Sequence, residues 1–429
     1  MIKYFFQTHV FNVMAYFFLL LFLGIIYLID LYVLQGVRAI FSNSPSGVLP
    51  LTVYWIYWAI NGCFYLVLAY ALVNIDRSKG LQSAQTVAIN CFLALMIPKM
   101  IFIGVLWMED VSRLVMGTYN TLFRNTSPEF MPERRAFMSK FALGAAVVPF
   151  AAIIYGIVKG KYEYTVRKHD LFFDDLPEDF DGLSITQISD FHAGSFDNPD
   201  AVKKGLELVN SQNSDIIVFT GDLVNNEASE VEPYISAFQS LQANLGKCSI
   251  LGNHDYGDYK YWSSIAEKTE NLKTLLKHHE SMGFRLLLNE HLKITKNGKE
   301  ICLIGVENWG HGFSKYGDFL KATSGIPKNS FNILLSHDPT HWEKEVKTSD
   351  CHVHLTLSGH THGAQMGVEI GNFRWSPIQY RYSKWAGLYQ EFGKYLHINR
   401  GFGFLAFSGR VGILPEITVL TLRKRKEIS

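Results

Sequence analysis

Cysteine is scarce in this chain and follows no pattern. The 429 residues include five: Cys63, Cys91, Cys248, Cys302 and Cys351. They suggest no disulfide framework, and their odd number favours free, buried thiols without deciding the compartment. An excess of charge is missing too. Lys and Arg total 40 against 39 for Asp and Glu, so net charge alone implies no nucleic-acid partner, and a nuclease's basic groove is not in sight. Internal repeats and low-complexity segments are absent, which sets repeat architectures aside.

Long apolar runs are plentiful. The chain is 48% hydrophobic, and the excess sits in the first 160 residues. Tyr4 to Ile29 and Ala39 to Ile75 contain no charged residue. Leu81 to Met108 is broken only at Pro98-Lys99, and Phe141 to Val158 is rich in Ala, Gly and Val. A span needs roughly 20 apolar residues, so the runs predict four transmembrane helices, the fourth being the one that would serve as a re-entrant helix instead. A cleavable signal peptide does not explain so many runs. Lys99 reads as a snorkelling side chain or the end of a span rather than a functional polar site. Arg134-Arg135-Ala136-Phe137, ahead of the fourth run, resembles a twin-arginine export signal. Flanking charge gives that helix the same orientation, with the following domain outside the cytoplasm. Lys159, Lys161, Arg167 and Lys168 beyond the helix, with Arg77 and Lys79, argue the other way.

After Lys161 short apolar strands alternate with amphipathic segments. Strands are expected at Leu183–Ile188, Asp215–Thr220, Lys247–Leu251, Glu300–Val306, Phe331–Leu335 and His354–Leu357, and helices at Ala201–Asn210 and near Trp262–Met282. The alternation predicts an α/β sandwich of two sheets behind an α-helical transmembrane domain, with domains 1–160 and 161–429. Most of these strands run into polar clusters: Asp190-Phe191-His192, Gly221-Asp222, Gly252-Asn253-His254-Asp255, Ser336-His337 and Gly359-His360-Thr361-His362. Mixed oxygen and imidazole donors suit a pair of divalent metals, and no cysteine takes part, which argues against a zinc finger.

The ordered set resembles the calcineurin-like metallophosphoesterases. Asp181-Gly182-Leu183 and the segment from Arg410 to Ile417 are similar to a membrane-linked phosphodiesterase branch, some members of which carry a twin-arginine leader. The resemblance covers roughly the last 250 residues. It implies a first metal on Asp190, His192, Asp222 and His362, and a second on Asp222, Asn253, His337 and His360, with Asp222 bridging. It further implies a hydroxide between the ions as nucleophile, His254 as the acid on the leaving oxygen, and Asp255 as a catalytic partner that orients His254 or caps a turn. Mn, Fe or Zn fits the donors. Ala364 departs from the family's usual glycine and is expected only to narrow its loop. His352 and His354 read as structural. Arg400 and Arg410 read as phosphate contacts or as scaffold, the aromatic set from Phe373 to Tyr389 as packing before bilayer or substrate contact, and Arg423 to Lys426 as a solvated tail.

The expected function is a membrane-anchored phosphoester hydrolase, a phosphodiesterase or pyrophosphatase, acting on a lipid or cell-envelope phosphoester. Its partners are then that substrate and the bilayer. The alternative is a membrane transporter or sensor with a regulatory phosphoesterase-like domain; Lys99 is its only prominent sequence support. An inactive scaffold is disfavoured by the intact ligand pattern.

Overall fold

The computed structural model describes residues 2–42, 48–124, 132–310, 312, 314–371 and 373–425. Residues 43–47 of the second apolar run and Lys426 of the basic tail lie outside these. Two compact units are present. One takes the chain up to Asn74 with Val87–Ile154, and the other takes Ile75–Thr86 with the chain from Tyr155 onward.

The first unit is helical: α1 (Ile2–Ile40), α2 (Leu51–Val73), α3 (Ser83–Tyr119) and α4 (Pro132–Val158). Each holds a stretch long and apolar enough to cross a bilayer. Large apolar side chains such as Leu20, Trp55, Leu66 and Val148 point outward, as lipid-facing positions require. The chain is a membrane protein.

Charge inside this unit corrects one expectation. Lys99 does not snorkel and α3 does not end at it; its side chain meets Asp30 of α1 instead. Both side chains are buried, and Lys99 Nζ lies 2.6 Å from Asp30 Oδ1 and 2.5 Å from Asn61 Oδ1. The Tyr65 hydroxyl donates to Asp30 Oδ2 at 2.5 Å, and that of Tyr57 donates to the Asp30 carbonyl at 2.7 Å. A lone ammonium in hydrocarbon is costly, and pairing with full hydrogen bonding offsets that cost. Arg135 likewise pairs with Glu109 at 2.8 Å and Asp110 at 2.7 Å, and Arg134 donates to Ser112 at 3.2 Å. Contacts with α3 thus occupy both arginines.

The second unit is α/β. Its elements begin with β1 (Thr165–Phe173), β2 (Ser184–Ile188), α5 (Pro199–Asn210), β3 (Ile216–Thr220), α6 (Ile235–Gln239), β4 (Lys247–Ile250) and α7 (Ile265–Ser281). Next come β5 (Arg285–Leu286), β6 (Glu290–Lys296), β7 (Lys299–Gly305), α8 (Phe319–Thr323), β8 (Phe331–Leu335) and α9 (Thr340–Lys344). The chain closes with β9 (Leu355–Ser358), β10 (Val368–Ile370), β11 (Phe373–Trp375), β12 (Gly387–Glu391), β13 (Lys394–Ile398) and β14 (Glu416–Lys424). Two mixed sheets form, in the orders β1-β14-β2-β3-β4-β5 and β12-β13-β9-β8-β7-β6, with β10 and β11 as a separate hairpin.

Alternation along the strands decides what lies between the sheets. On β3, Ile216 and Val218 join Ile333, Leu335, Leu355 and Leu357 of the other sheet in one core, while Ile217 and Phe219 face Val202, Leu206 and Leu275 of the covering helices. Side chains on a strand point to opposite faces in turn, so a run of apolar residues buries both. Trp342 and Phe319 cover the outer face of the second sheet in a further cluster. The resulting layers are helix, sheet, sheet, helix. Asn198 caps α5 through Ala201 N–H at 3.1 Å, with Pro199 in the first turn. All five cysteines are free, though only Cys248 and Cys302 are buried. The basic C-terminal residues are no loose tail as far as Arg425: β14 runs through Lys424, and Arg423 pairs with Asp170 at 3.1 Å.

Candidate metal centre

The polar clusters follow the carboxyl ends of β2, β3, β4, β8 and β9. Parallel pairing of β2 with β3 and β4, and of β8 with β9, sets those ends side by side. Backbone geometry here is unusual. Asp190, His192, Asp222, His360 and His362 all have φ between +49° and +72°. The left-handed region costs an L-residue roughly 1–2 kcal/mol, and such strain gathers at functional sites. Close approach explains two glycines. A Cβ on Gly252 would lie 2.2 Å from Asp222 Oδ1, and one on Gly359 would lie 2.0 Å from Ser189 Oγ. Ala364, expected only to narrow its loop, also has φ +52°. It bears the strain that a glycine would avoid.

Donor atoms converge in two groups, Asp190, His192 and His362 in one and Asp222, His337 and His360 in the other, each within 4.8 Å. One atom lies toward both. Asp222 Oδ2 is 3.6 Å from His192 Nε2 and 3.1 Å from His337 Nε2. Asn253 Oδ1 stands 2.9 Å from His360 Nδ1, which adds an oxygen to the second group. His192 Nε2 and His362 Nε2 face each other at 3.0 Å.

Second partners fix which ring nitrogen is free. A carbonyl can only accept, so His337 Nδ1 donates to Thr220 O at 2.8 Å. Its Nε2 is then aimed at the Asp222 carboxylate. Burial opposes charge on His337, but Asp222 outweighs it and holds the imidazole up at about 10. Burial also opposes the Asp222 charge, and His337 and His254 more than offset that, holding the carboxyl well below the usual range. A proton on Nε2 meets the carboxylate at this distance, and a divalent cation would take that proton's place. Elsewhere burial, then His254, brings His192 down to about 3, and burial brings His360 down to about 4. Neutral imidazoles offer the lone pairs that metals take. The donor set therefore fits divalent ions.

His254 stands beside the groups. Its Nδ1 donates to the Asn225 carbonyl at 2.9 Å, and its ring stacks on Tyr259 with centroids 4.2 Å apart. Asp255 is employed elsewhere. Its carboxylate accepts from the backbone N–H of Gly252 at 2.8 Å, Asp222 at 2.9 Å, Leu223 at 2.8 Å and Val224 at 3.3 Å. The expected orienting contact on His254 is made by Asn225, and Asp255 ties two ligand loops together, closer to the turn-capping alternative.

Arg410 is buried and donates to carbonyls including that of Arg400 at 2.7 Å, with Nη2 3.3 Å from His362 Nδ1. Arg400 is held by Glu416 and Glu369, both at 2.5 Å. Both arginines are scaffold. His354 accepts the Asn332 N–H at 3.0 Å and meets Asp175 at 2.6 Å, away from the centre. The aromatic set divides. Tyr382 and Trp385 are buried, and the Tyr382 hydroxyl lies 2.9 Å from His360 Nε2, whereas Phe373 and Tyr380 are exposed. Asn225, whose Oδ1 is 3.1 Å from His192 Nδ1, and Tyr259 escaped the sequence reading. Asn225 lies three residues past Asp222, a spacing that was open to notice; the Tyr259 stack depends on the return of its loop.

Comparison with known proteins agrees with this geometry. Residues 14–161 match a family model described as a probable calcineurin-like phosphoesterase transmembrane domain, and residues 183–364 match calcineurin-like phosphoesterase. The uncharacterized metallophosphoesterase YkuE of Bacillus subtilis is 31% identical over 299 residues, covering 68% of this chain and 98% of that protein. The chain belongs to the calcineurin-like metallophosphoesterases. A transmembrane protein with metallophosphoesterase domain from Danio rerio is 26% identical, covering 72% of this chain and 69% of that protein. A similarly described protein of Bos taurus is 27% identical, covering 65% of this chain and 62% of its own length. Calcineurin-like phosphoesterases bind divalent metals, and this member has His and Asp groups able to hold them.

Proposed function

We propose that this metallophosphoesterase is a membrane-anchored phosphoester hydrolase working with two divalent ions, of the phosphodiesterase or pyrophosphatase type. Its substrate is a phosphoester carried by a lipid or by the cell envelope. The observation that carries the reading is Asp222 Oδ2, which lies toward both donor groups. Asp190, His192, Asp222 and His362 would hold one ion, and Asp222, Asn253, His337 and His360 the other. Mn, Fe and Zn all accept such donors. When bound, the ions lower the pKa of a water and offset charge on the phosphoryl oxygens.

The chain's own residues do the rest. Thr220 and Asn225 orient His337 and His192, and Arg410 backs His362. His254, fixed at Nδ1 by Asn225, gives its Nε2 proton to the leaving oxygen. The membrane anchor supports a lipid or envelope substrate by placement. In this reading flanking charge puts the catalytic unit outside the cytoplasm, so cleavage by protease added to intact spheroplasts is expected, and protection would reverse the orientation. The polar cluster around Lys99 is satisfied within itself, which lends the transporter reading no support.

The test is hydrolysis of methyl phenyl phosphate, whose leaving oxygen is basic enough to need a proton, by the full-length protein with Mn2+. His254→Ala is expected to lose about 100-fold or more in kcat, and Asp222→Asn to lose activity with bound metal, both while folded. Wild-type rates in either variant would sink the assignment.

A further inference from the structure

The catalytic unit includes a segment from the helical half of the chain. Ile75–Thr86, between α2 and α3, packs with it. Two of its contacts bear on the site. At the first, the Arg77 carbonyl accepts the Tyr261 N–H at 2.8 Å. The Arg77 guanidinium donates to the Tyr261 hydroxyl at 2.9 Å and lies 5.8 Å from its ring centroid. At the second, Gly80 has φ +66°, and a Cβ on it would meet Asn226 Nδ2 at 2.9 Å.

Each contacted residue adjoins a group that holds His254. Tyr259, two residues before Tyr261, stacks on the imidazole and accepts from Asn253 Nδ2 at 2.7 Å. Asn225, next to Asn226, takes the Nδ1 proton on its carbonyl. Tyr259 and Tyr261 are 46% and 62% exposed, so little core packing fixes this stretch. The Arg77 contacts, with Trp262 Nε1 on the Gly257 carbonyl at 2.7 Å and Lys260 on Glu227 at 2.7 Å, supply the restraint.

We propose that the loop between α2 and α3 is a positioning element for His254. Through Tyr261 and Asn226 it keeps the Tyr259 ring and the Asn225 carbonyl where they aim Nε2 at the leaving oxygen. The proposal rests on His254 being the leaving-group acid. A shift of about 1 Å at such a group can cost about 100-fold in rate.

The test compares two diesters that share the transferred group, methyl p-nitrophenyl phosphate and methyl phenyl phosphate, on the full-length Mn2+-loaded protein. A general acid matters more as the leaving oxygen becomes more basic. Arg77→Ala and Gly80→Val are expected to lower kcat about tenfold on the phenyl ester and less than about threefold on the nitrophenyl ester. KM and metal content stay at wild-type values, and amide exchange at Tyr261 quickens. Arg77→Lys, which keeps a cation on Tyr261, restores most of the loss. Should Gly80→Val fail to fold, Arg77→Ala, which adds no bulk, carries the test. Equal losses on both esters, or none, overturn the proposal. His254→Ala separates the two ideas. If it loses more on the phenyl ester while the loop variants do not, only the loop role falls; if it has no leaving-group dependence, the acid assignment falls and the loop role with it.

Discussion

The Asp255 carboxylate accepts N–H groups from Gly252, Asp222, Leu223 and Val224, so a change there alters loop geometry before it alters chemistry. Asn in its place would turn an NH2 toward backbone donors and lose about two charge-assisted bonds, roughly 3–5 kcal/mol in all. Asp255→Asn should therefore lower the urea midpoint strongly and release metal, whereas His254→Ala should keep stability within about 1 kcal/mol, the usual range for a change away from the core. Equal stability in the two variants would return Asp255 to a catalytic role. The pair also marks the limit of reading residues from sequence. Gly-Asn-His-Asp announces a site because small and polar residues follow an apolar strand. Which neighbour the His254 ring touches depends on Asn225, 29 positions away in the chain.

Among the elements, strands that end in polar clusters were legible because each is a short apolar run stopped by small or polar residues. The β1–β14 pair was not: Thr165 pairs with Glu416 in parallel, and a contact so distant leaves no local periodicity. In the helices, reading each charge alone hid the pairing. Asp30 looked like the end of an apolar run and Lys99 like a snorkelling residue, yet together they form one ion pair between α1 and α3, joined by Asn61, Tyr57 and Tyr65 of α2. Removing one partner strands a buried charge, at about 3–5 kcal/mol, while removing both is far milder. Lys99→Met and Asp30→Asn should each lower the unfolding temperature in detergent, and the double variant should recover much of the loss, a coupling of about 1–3 kcal/mol. Additive effects would favour two independent, solvated side chains.

At the scale of the molecule, the catalytic centre joins loops from both sheets: Asp190, Asp222 and Asn253 follow strands of one, His337, His360 and His362 strands of the other. Ions held there link the sheets across their shared edge. Binding to the folded state alone stabilises by RT ln(1 + [L]/Kd), about 2.7 kcal/mol at a hundred times Kd. The helical unit holds none of these donors, so its stability should not follow metal. Full-length protein treated with EDTA should therefore unfold in two steps, with the catalytic transition several degrees lower and recovered by Mn2+, and the helical transition unmoved. His337→Ala should make the catalytic transition far less responsive to Mn2+. A catalytic transition indifferent to EDTA in the wild-type protein would mean that the facing His337 and Asp222 side chains are held by a proton alone, and that the two-metal reading is wrong.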